Sequence, residues 1–210
     1  MIKRELIVKT LNEMFPNLKS DLNYSNHFEM LIAVVLSAQT TDVSVNKVTP
    51  ELFSKYPNPK SLKEAPIEDL ENILKSIGLY KTKAKNIKNL SKILHDKYDS
   101  KIPSERKDLE SLPGVGRKTA NVVLANAFGK NVIAVDTHVN RVSKRLGIAK
   151  ESDNVLEVEE RIVKYFQKDD LKKLHHQLIF FGRYHCLARN PKCENCPLQE
   201  VCVFYKKFEK

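Results

Sequence analysis

Two sets of residues in this chain have types and spacings that could do chemistry. The first is cysteine. All four cysteines fall in GRYHCLARNPKCENCPLQEVC, as Cys186, Cys193, Cys196 and Cys202, with the spacing Cys-x6-Cys-x2-Cys-x5-Cys. Four thiolates this close can enclose one tetrahedral zinc or one cubane iron–sulfur cluster. A zinc ribbon more usually offers two Cys-x2-Cys pairs, but spacing alone leaves both metals open. The amino terminus, MIKRELIVKT, scatters Lys3, Arg4, Glu5 and Lys9 among its apolar positions. It does not read as a signal peptide, which favours metal binding over two disulfides. Thiolates around a cubane leave the unit net negative, so any attraction to a polyanion there must come from Arg183, Arg189 and Lys192.

The second set surrounds Lys118 in LPGVGRKTANVVLANAFG, residues 112–129. Two phosphate-binding motifs fail on this stretch. A P-loop needs Gly-Lys-Ser/Thr in succession, whereas Arg117 separates Gly116 from Lys118, and a dinucleotide fingerprint needs a third glycine where Thr119 stands. What remains is a helix-hairpin-helix, weighed against an ordinary Gly-Pro turn. Glycine permits positive φ and removes the Cβ that holds a ligand off the backbone. Gly114 and Gly116 can therefore present bare amides at the positive end of the following helix, a nest suited to a nucleic-acid phosphate. Such a contact reads phosphate and not sequence.

Lys118 falls in the first turn of that helix. A helix amino terminus disfavours an ammonium ion, as does desolvation. A neutral amine forms a Schiff base with a sugar aldehyde or attacks an electrophilic carbon; the plainer role is a surface lysine pairing with phosphate. The helix runs about ten residues from Lys118, roughly 15 Å. Asn131 to Asp136 then covers roughly 17–20 Å if extended. If the chain doubles back, Asp136 returns beside Lys118. In VDTH, Asp136 also reads as an N-cap, a role compatible with accepting a lysine proton or stabilising positive charge on a sugar.

The elements that must position these residues are helices. Apolar side chains recur at helical spacing almost throughout, as in Ile7/Leu11/Met14/Phe15, Phe28/Leu31/Ile32/Val35, Ala84/Ile87/Leu90/Leu94, Ala120/Val123/Leu124 and Leu171/Leu174/Leu178/Phe181. Only Asn131–Val135 looks like a short extended piece, so the expected architecture is all-α. The 210 residues are 41% hydrophobic and 30% charged, a globular composition with no apolar run long enough to span a bilayer. A soluble intracellular protein is expected. The net charge of +10 suits a polyanion partner, and the absence of tryptophan excludes base stacking on that residue.

Together LPGVGRKTANVVL, IAVDTHVNRV, LSAQTTD (residues 36–42), GLYKTKAKNI (residues 78–87) and the four-cysteine spacing resemble the endonuclease III family, helix-hairpin-helix DNA glycosylases with an associated lyase activity. The resemblance implies two helical domains. A six-helix domain with the hairpin would span 21–131, and residues 1–20 plus 132–210 would form an iron–sulfur domain holding a [4Fe–4S] cluster on the four cysteines. It implies Lys118 as nucleophile and Asp136 as its carboxylate partner. Gln39 and Leu79 resemble the residues that fill the gap left by an extruded nucleotide, although from the residues alone Gln39 merely ends a core helix and Leu79 sits in a turn. His138 and Arg141 match positions that touch phosphate, with a plain helix-face role equally open. The implied partner is double-stranded DNA containing damaged pyrimidines or abasic sites, bound by a cytoplasmic, nucleoid-associated monomer with no membrane. The chain departs from the family at Thr40, where alanine is common, and mildly at Arg189-Asn190-Pro191.

Two rivals remain in view. Adenine-specific glycosylases of the same fold lack the hairpin lysine. A non-catalytic helix-hairpin-helix module with a zinc-bound tail leaves the pairing of Lys118 with Asp136 as coincidence.

Overall fold

The 3.6-residue spacing of apolar side chains becomes a succession of helices in the computed structural model, which describes residues 3–16, 18 and 22–207. In chain order these are α1 (Lys3–Met14), α2 (His27–Leu36), α3 (Asp42–Lys55), α4 (Pro59–Glu64), α5 (Ile67–Leu74), α6 (Tyr80–Tyr98), α7 (Arg106–Glu110), α8 (Arg117–Ala127), α9 (Thr137–Arg145), α10 (Val155–Tyr165) and α11 (Leu171–Tyr184). Two single 3-10 turns, Gln199–Val201 and Tyr205–Lys207, follow. No strand occurs among the described residues, and the fold is all-α. Asn131–Val135, expected to be extended, belongs to no strand among the described residues and is irregular chain with Ile133, Ala134 and Val135 buried.

The helices form two compact units, Ser20–Lys130 and Met1–Lys19 with Asn131–Lys210. The sequence-expected boundary at residues 20 and 21 lies outside the described residues.

In the 20–130 unit, α2 is apolar almost all round, and such a helix can only be central. Phe28, Met30, Leu31, Ile32, Ala33, Val35 and Leu36 are all buried, with α3, α6 and α8 against them. Asn26 caps α2 by accepting from the Glu29 N–H at 3.0 Å. The long α6 carries α4 and α5, and its buried stripe is Ala84, Ile87, Leu90 and Leu94.

In the other unit, α1 and α9 pack on α11, and α10 packs on α9. Ile7, Leu11, Phe166 and Phe181 are fully or almost fully buried in its core. Gln177 of α11 explains why the amino-terminal helix joins the carboxy-terminal half. Its buried Nε2 donates to the Leu11 carbonyl at 3.2 Å, Asn12 Oδ1 at 3.0 Å and the Phe15 carbonyl at 3.2 Å, adding to the bond that Leu11 already accepts from the Phe15 N–H at 2.9 Å. Asn131 pins the connector to α11, accepting from the Leu171 N–H at 3.0 Å and donating to the Asp169 carbonyl at 3.3 Å.

Candidate functional site

The hairpin is a β-turn over residues 112–115. The Val115 N–H donates to the Leu112 carbonyl at 3.0 Å, with Pro113 and Gly114 at the corners. Gly114 has φ +81°, the left-handed position that a turn with proline ahead assigns to glycine. Space enforces the same choice: a Cβ there would lie 3.0 Å from Val35 Cγ1 and 3.1 Å from Asn86 Nδ2. Gly116 is different. Its backbone is extended at φ −95°, ψ 179°, and an added Cβ would meet nothing within 4 Å. It is the N-cap of α8 and brings no side-chain cap of its own. The amides of such a first turn point along the axis at whatever approaches. Lys118, the second residue of α8, is exposed.

Gln39 and Leu79 occupy neighbouring turns of the same unit. Gln39 lies between α2 and α3 with φ +54°, and Leu79 precedes α6 with φ +59°. Both are exposed, Leu79 by 59%. A left-handed non-glycine residue costs about 1–2 kcal/mol, and an exposed leucine forgoes about 1.5–3 kcal/mol of burial. Two such positions side by side are not chosen for stability. A Cβ on Gly78 would lie 3.9 Å from the Gln39 carbonyl oxygen, so the two turns adjoin. Behind them Lys83, buried to 4% exposure, donates from Nζ to Thr40 Oγ1. Burial lowers the pKa of this amine. Sequence reasoning passed over Lys83, and its unexpected place on the buried stripe of α6 was the available signal.

In the other unit Asp136 caps α9, Oδ1 accepting from the Val139 N–H at 2.8 Å. Its Oδ2 lies 3.0 Å from His138 Nδ1; since the carboxylate accepts, Nδ1–H donates. Arg141, one turn on, donates from NH2 to the Gly182 carbonyl at 2.8 Å and from Nε and NH2 to the Cys186 carbonyl at 3.2 Å. It thereby satisfies carbonyls at the end of α11. Gly182 lets α9 and α11 approach, for a Cβ would stand 2.9 Å from His138 Cβ.

Cys186, Cys193, Cys196 and Cys202 are unpaired thiols that line one cavity together with Leu146 and Phe181. Among the described residues no three His, Cys, Asp or Glu side chains stand close enough to hold a single metal ion. Burial, and then repulsion from the other three sulfurs, pushes Cys196 up to about 11, while the N–H of Leu198 opposes the rise. Burial also raises Cys193. Thiols so placed ionise only against strong positive charge. Arg145 supplies some, donating to Cys186 Sγ at 3.3 Å and to the carbonyls of Leu187 at 2.6 Å and Ala188 at 3.1 Å. The Tyr205 N–H reaches Cys202 Sγ at 3.5 Å. Arg145 was also missed in the sequence, although it stands one helical turn after Arg141.

Comparison with known proteins gives this geometry a family. Residues 32–168 match the HhH-GPD superfamily base excision DNA repair proteins, and residues 186–202 match the iron–sulfur binding domain of endonuclease III. Endonuclease III of Bacillus subtilis strain 168 is 51% identical over 206 residues, 98% of this chain and 94% of that protein. The Escherichia coli K12 enzyme is 45% identical over 207 residues, 99% of this chain and 98% of that protein. Among solved structures, a trapped endonuclease III–DNA covalent intermediate superposes with a TM-score of 0.90 at 50% identity, covering 100% of both chains. A non-covalent endonuclease III–DNA complex gives 0.89 at 51% identity, covering 100% of this chain and 99% of that one. This chain therefore belongs to the endonuclease III family of helix-hairpin-helix base excision DNA repair proteins.

Proposed function

We propose that the chain is a bifunctional DNA glycosylase and abasic-site lyase acting on oxidised or ring-saturated pyrimidines in double-stranded DNA. What carries the reading is the full-length likeness, at 50% identity, to a relative trapped as a covalent DNA intermediate, together with an exposed lysine in the first turn of α8.

Residues 21–131 act as the hairpin domain, with seven helices, α2 to α8, where the resemblance implied six, and 1–20 plus 132–210 act as the iron–sulfur cluster domain. Gly114 and Gly116 seat a phosphate on the amino terminus of α8. His138 and Arg141 add phosphate contacts from α9, Arg141 through the NH1 that its carbonyl bonds leave over. The target nucleotide leaves the stack at a cost of a few kcal/mol, least for a damaged pair, and Gln39 and Leu79 fill the gap.

Lys118 Nζ then attacks C1′, and the bond from C1′ to the base breaks with its electrons leaving on the base. Asp136 takes the lysine proton or stabilises positive charge on the sugar. The C1′–O4′ bond then opens, its electrons and a proton going to O4′, and the resulting protonated imine acidifies the C2′ hydrogens. Loss of one expels the 3′ oxygen by β-elimination, and water hydrolyses the imine to free Lys118.

The four cysteines hold a [4Fe–4S] cluster. Four thiols around one cavity are the donor set such a cluster takes, and its positive core would supply the charge that ionises them. Bound there, it would organise the 186–202 loop, whose Leu198 is fully buried in the adjoining core.

Among the described residues no helix is long and apolar enough to cross a membrane. The reading makes the protein a monomer acting on DNA in the cytoplasm, on the nucleoid.

Borohydride tests the assignment. Reducing the imine during reaction with thymine-glycol duplex joins protein to DNA as a stable amine, and Lys118→Ala should abolish the adduct. An adduct that survives the substitution places the nucleophile elsewhere.

A further inference from the structure

Lys83 is a charged side chain where α6 should present an apolar one. It is 4% exposed, and its nitrogen meets Thr40 Oγ1. Thr40 directly follows the left-handed Gln39, and its own N–H returns to the Ser37 carbonyl at 3.1 Å. The main chain of Lys83 faces the other turn, its N–H donating to the Leu79 carbonyl at 3.0 Å. That backbone bond is the ordinary first bond of α6, which starts at the Leu79 turn, so the side chain of Lys83 is what ties the start of this helix to the Gln39 turn. Burying a lysine amine is unfavourable unless it is hydrogen-bonded. That cost is accepted here at the base of two exposed residues in disfavoured backbone geometry.

We propose that Lys83 is a positioning residue that holds Gln39 and Leu79 as one rigid, two-pronged insert, acting through the Thr40 hydroxyl. This rests on the reading of Gln39 and Leu79 as gap-filling residues. The role is distinct from the chemistry at Lys118 and involves no contact of Lys83 with the reacting atoms.

The test uses the intact holoenzyme and a duplex carrying a tetrahydrofuran abasic analogue with 2-aminopurine opposite it. Filling the gap changes the stacking of the opposing base, so binding gives a fluorescence step. Lys83→Met keeps length and apolar volume but cannot donate. It should shrink the step several-fold at saturating protein, and Gln39→Ala should do the same. The double variant should lose no more than Gln39→Ala alone, because Lys83 acts through that turn.

A full-sized step in Lys83→Met, or losses that add in the double variant, would overturn the positioning role. Should Lys83→Met fail to fold, Thr40→Val removes the same hydrogen bond at nearly constant volume and is read identically. A several-fold loss supports the proposal, and an unchanged step refutes it. If Gln39→Ala itself leaves the step intact, gap filling by Gln39 is wrong and the positioning role falls with it.

Discussion

Asp136 divides its carboxylate between two partners, Oδ1 taking the Val139 N–H at 2.8 Å and Oδ2 facing His138 Nδ1 at 3.0 Å. The group proposed to serve Lys118 is therefore held at both oxygens before any substrate arrives. A base or electrostatic partner with no freedom to turn is what preorganised catalysis requires.

Asp136→Asn separates the two roles. Asparagine caps a helix about as well as aspartate, so urea unfolding should show a change within about 1 kcal/mol. Incision of thymine-glycol duplex should nevertheless fall by about two to four powers of ten, the range for loss of a general base. Asp136→Ala should lose activity similarly and also forfeit about 1 kcal/mol of cap stability. Unchanged turnover in Asp136→Asn would reduce this carboxylate to a cap.

The two hairpin glycines should fail in opposite ways. Gly114→Ala places a Cβ against Val35 and Asn86 on a backbone with φ +81°, so it should destabilise by roughly 1–3 kcal/mol and lower the melting temperature. Gly116→Ala meets open space and should shift stability by at most about 1 kcal/mol, the difference between glycine and alanine at an N-cap. Its methyl group stands where a phosphate would approach, so affinity for the abasic-analogue duplex should fall. The slope of log affinity against log salt should change little, because the substitution removes no cation. Equal affinity in wild type and Gly116→Ala would remove the hairpin from the interface.

A pH effect follows from Tyr56 and Asp69. The Tyr56 hydroxyl donates to Asp69 Oδ2 at 2.6 Å, and Lys55 Nζ reaches Oδ1 at 3.2 Å. The bond from Tyr56, then Lys55, holds Asp69 below its ordinary 3.8. The same bond raises Tyr56 from 10.0 to about 12. A depressed carboxylate stabilises the fold above its ordinary pKa and loses that contribution as pH falls through the depressed value. A raised phenol stabilises below its ordinary value and loses the contribution as pH climbs from 10.0 to about 12. The pair should help evenly between these limits. In an ultraviolet titration of tyrosinate, Tyr56→Phe should delete a component near pH 12, and absence of that component from wild type would refute the bond.

Removing iron should release the thiols at a cost to local order. The purified protein should be brown and contain iron and sulfide in equal amounts. Chelation under oxidising conditions should bleach it and open the 186–202 loop to protease. Since the core of this unit is built mostly from α1, α9, α10 and α11, with Leu198 as the loop's one fully buried contribution, the helical circular dichroism should change far less than the colour. A colourless protein holding stoichiometric zinc would refute the cluster.

Much of this was legible in the chain because the relevant signals are local. Helical stripes need only a 3.6-residue period. The Pro-Gly corner declares its turn through the φ preferences of two residues, and Asp136 advertises a cap by standing just ahead of an apolar stripe. The cysteine spacing points to a metal because four thiolates in so small a loop repel one another unless a cation lies between them, and the amino terminus gives no sign of export that would favour disulfides. Asn131–Val135 shows the limit, since extended-looking residues make a strand only if another strand lies alongside.

What only the tertiary structure decided are relationships between residues far apart in sequence. That Gln39 and Leu79 are both left-handed depends on neighbouring turns that no local preference predicts. Lys83 meets Thr40 across 43 positions, and Arg145 meets Cys186 across 41. The sequence by itself determined which residues could do chemistry, because residue type and short spacing set reactivity and local backbone. The packing of helices decided which of them are gripped, and by what, because a hydrogen bond to a distant partner exists only once the chain between has folded.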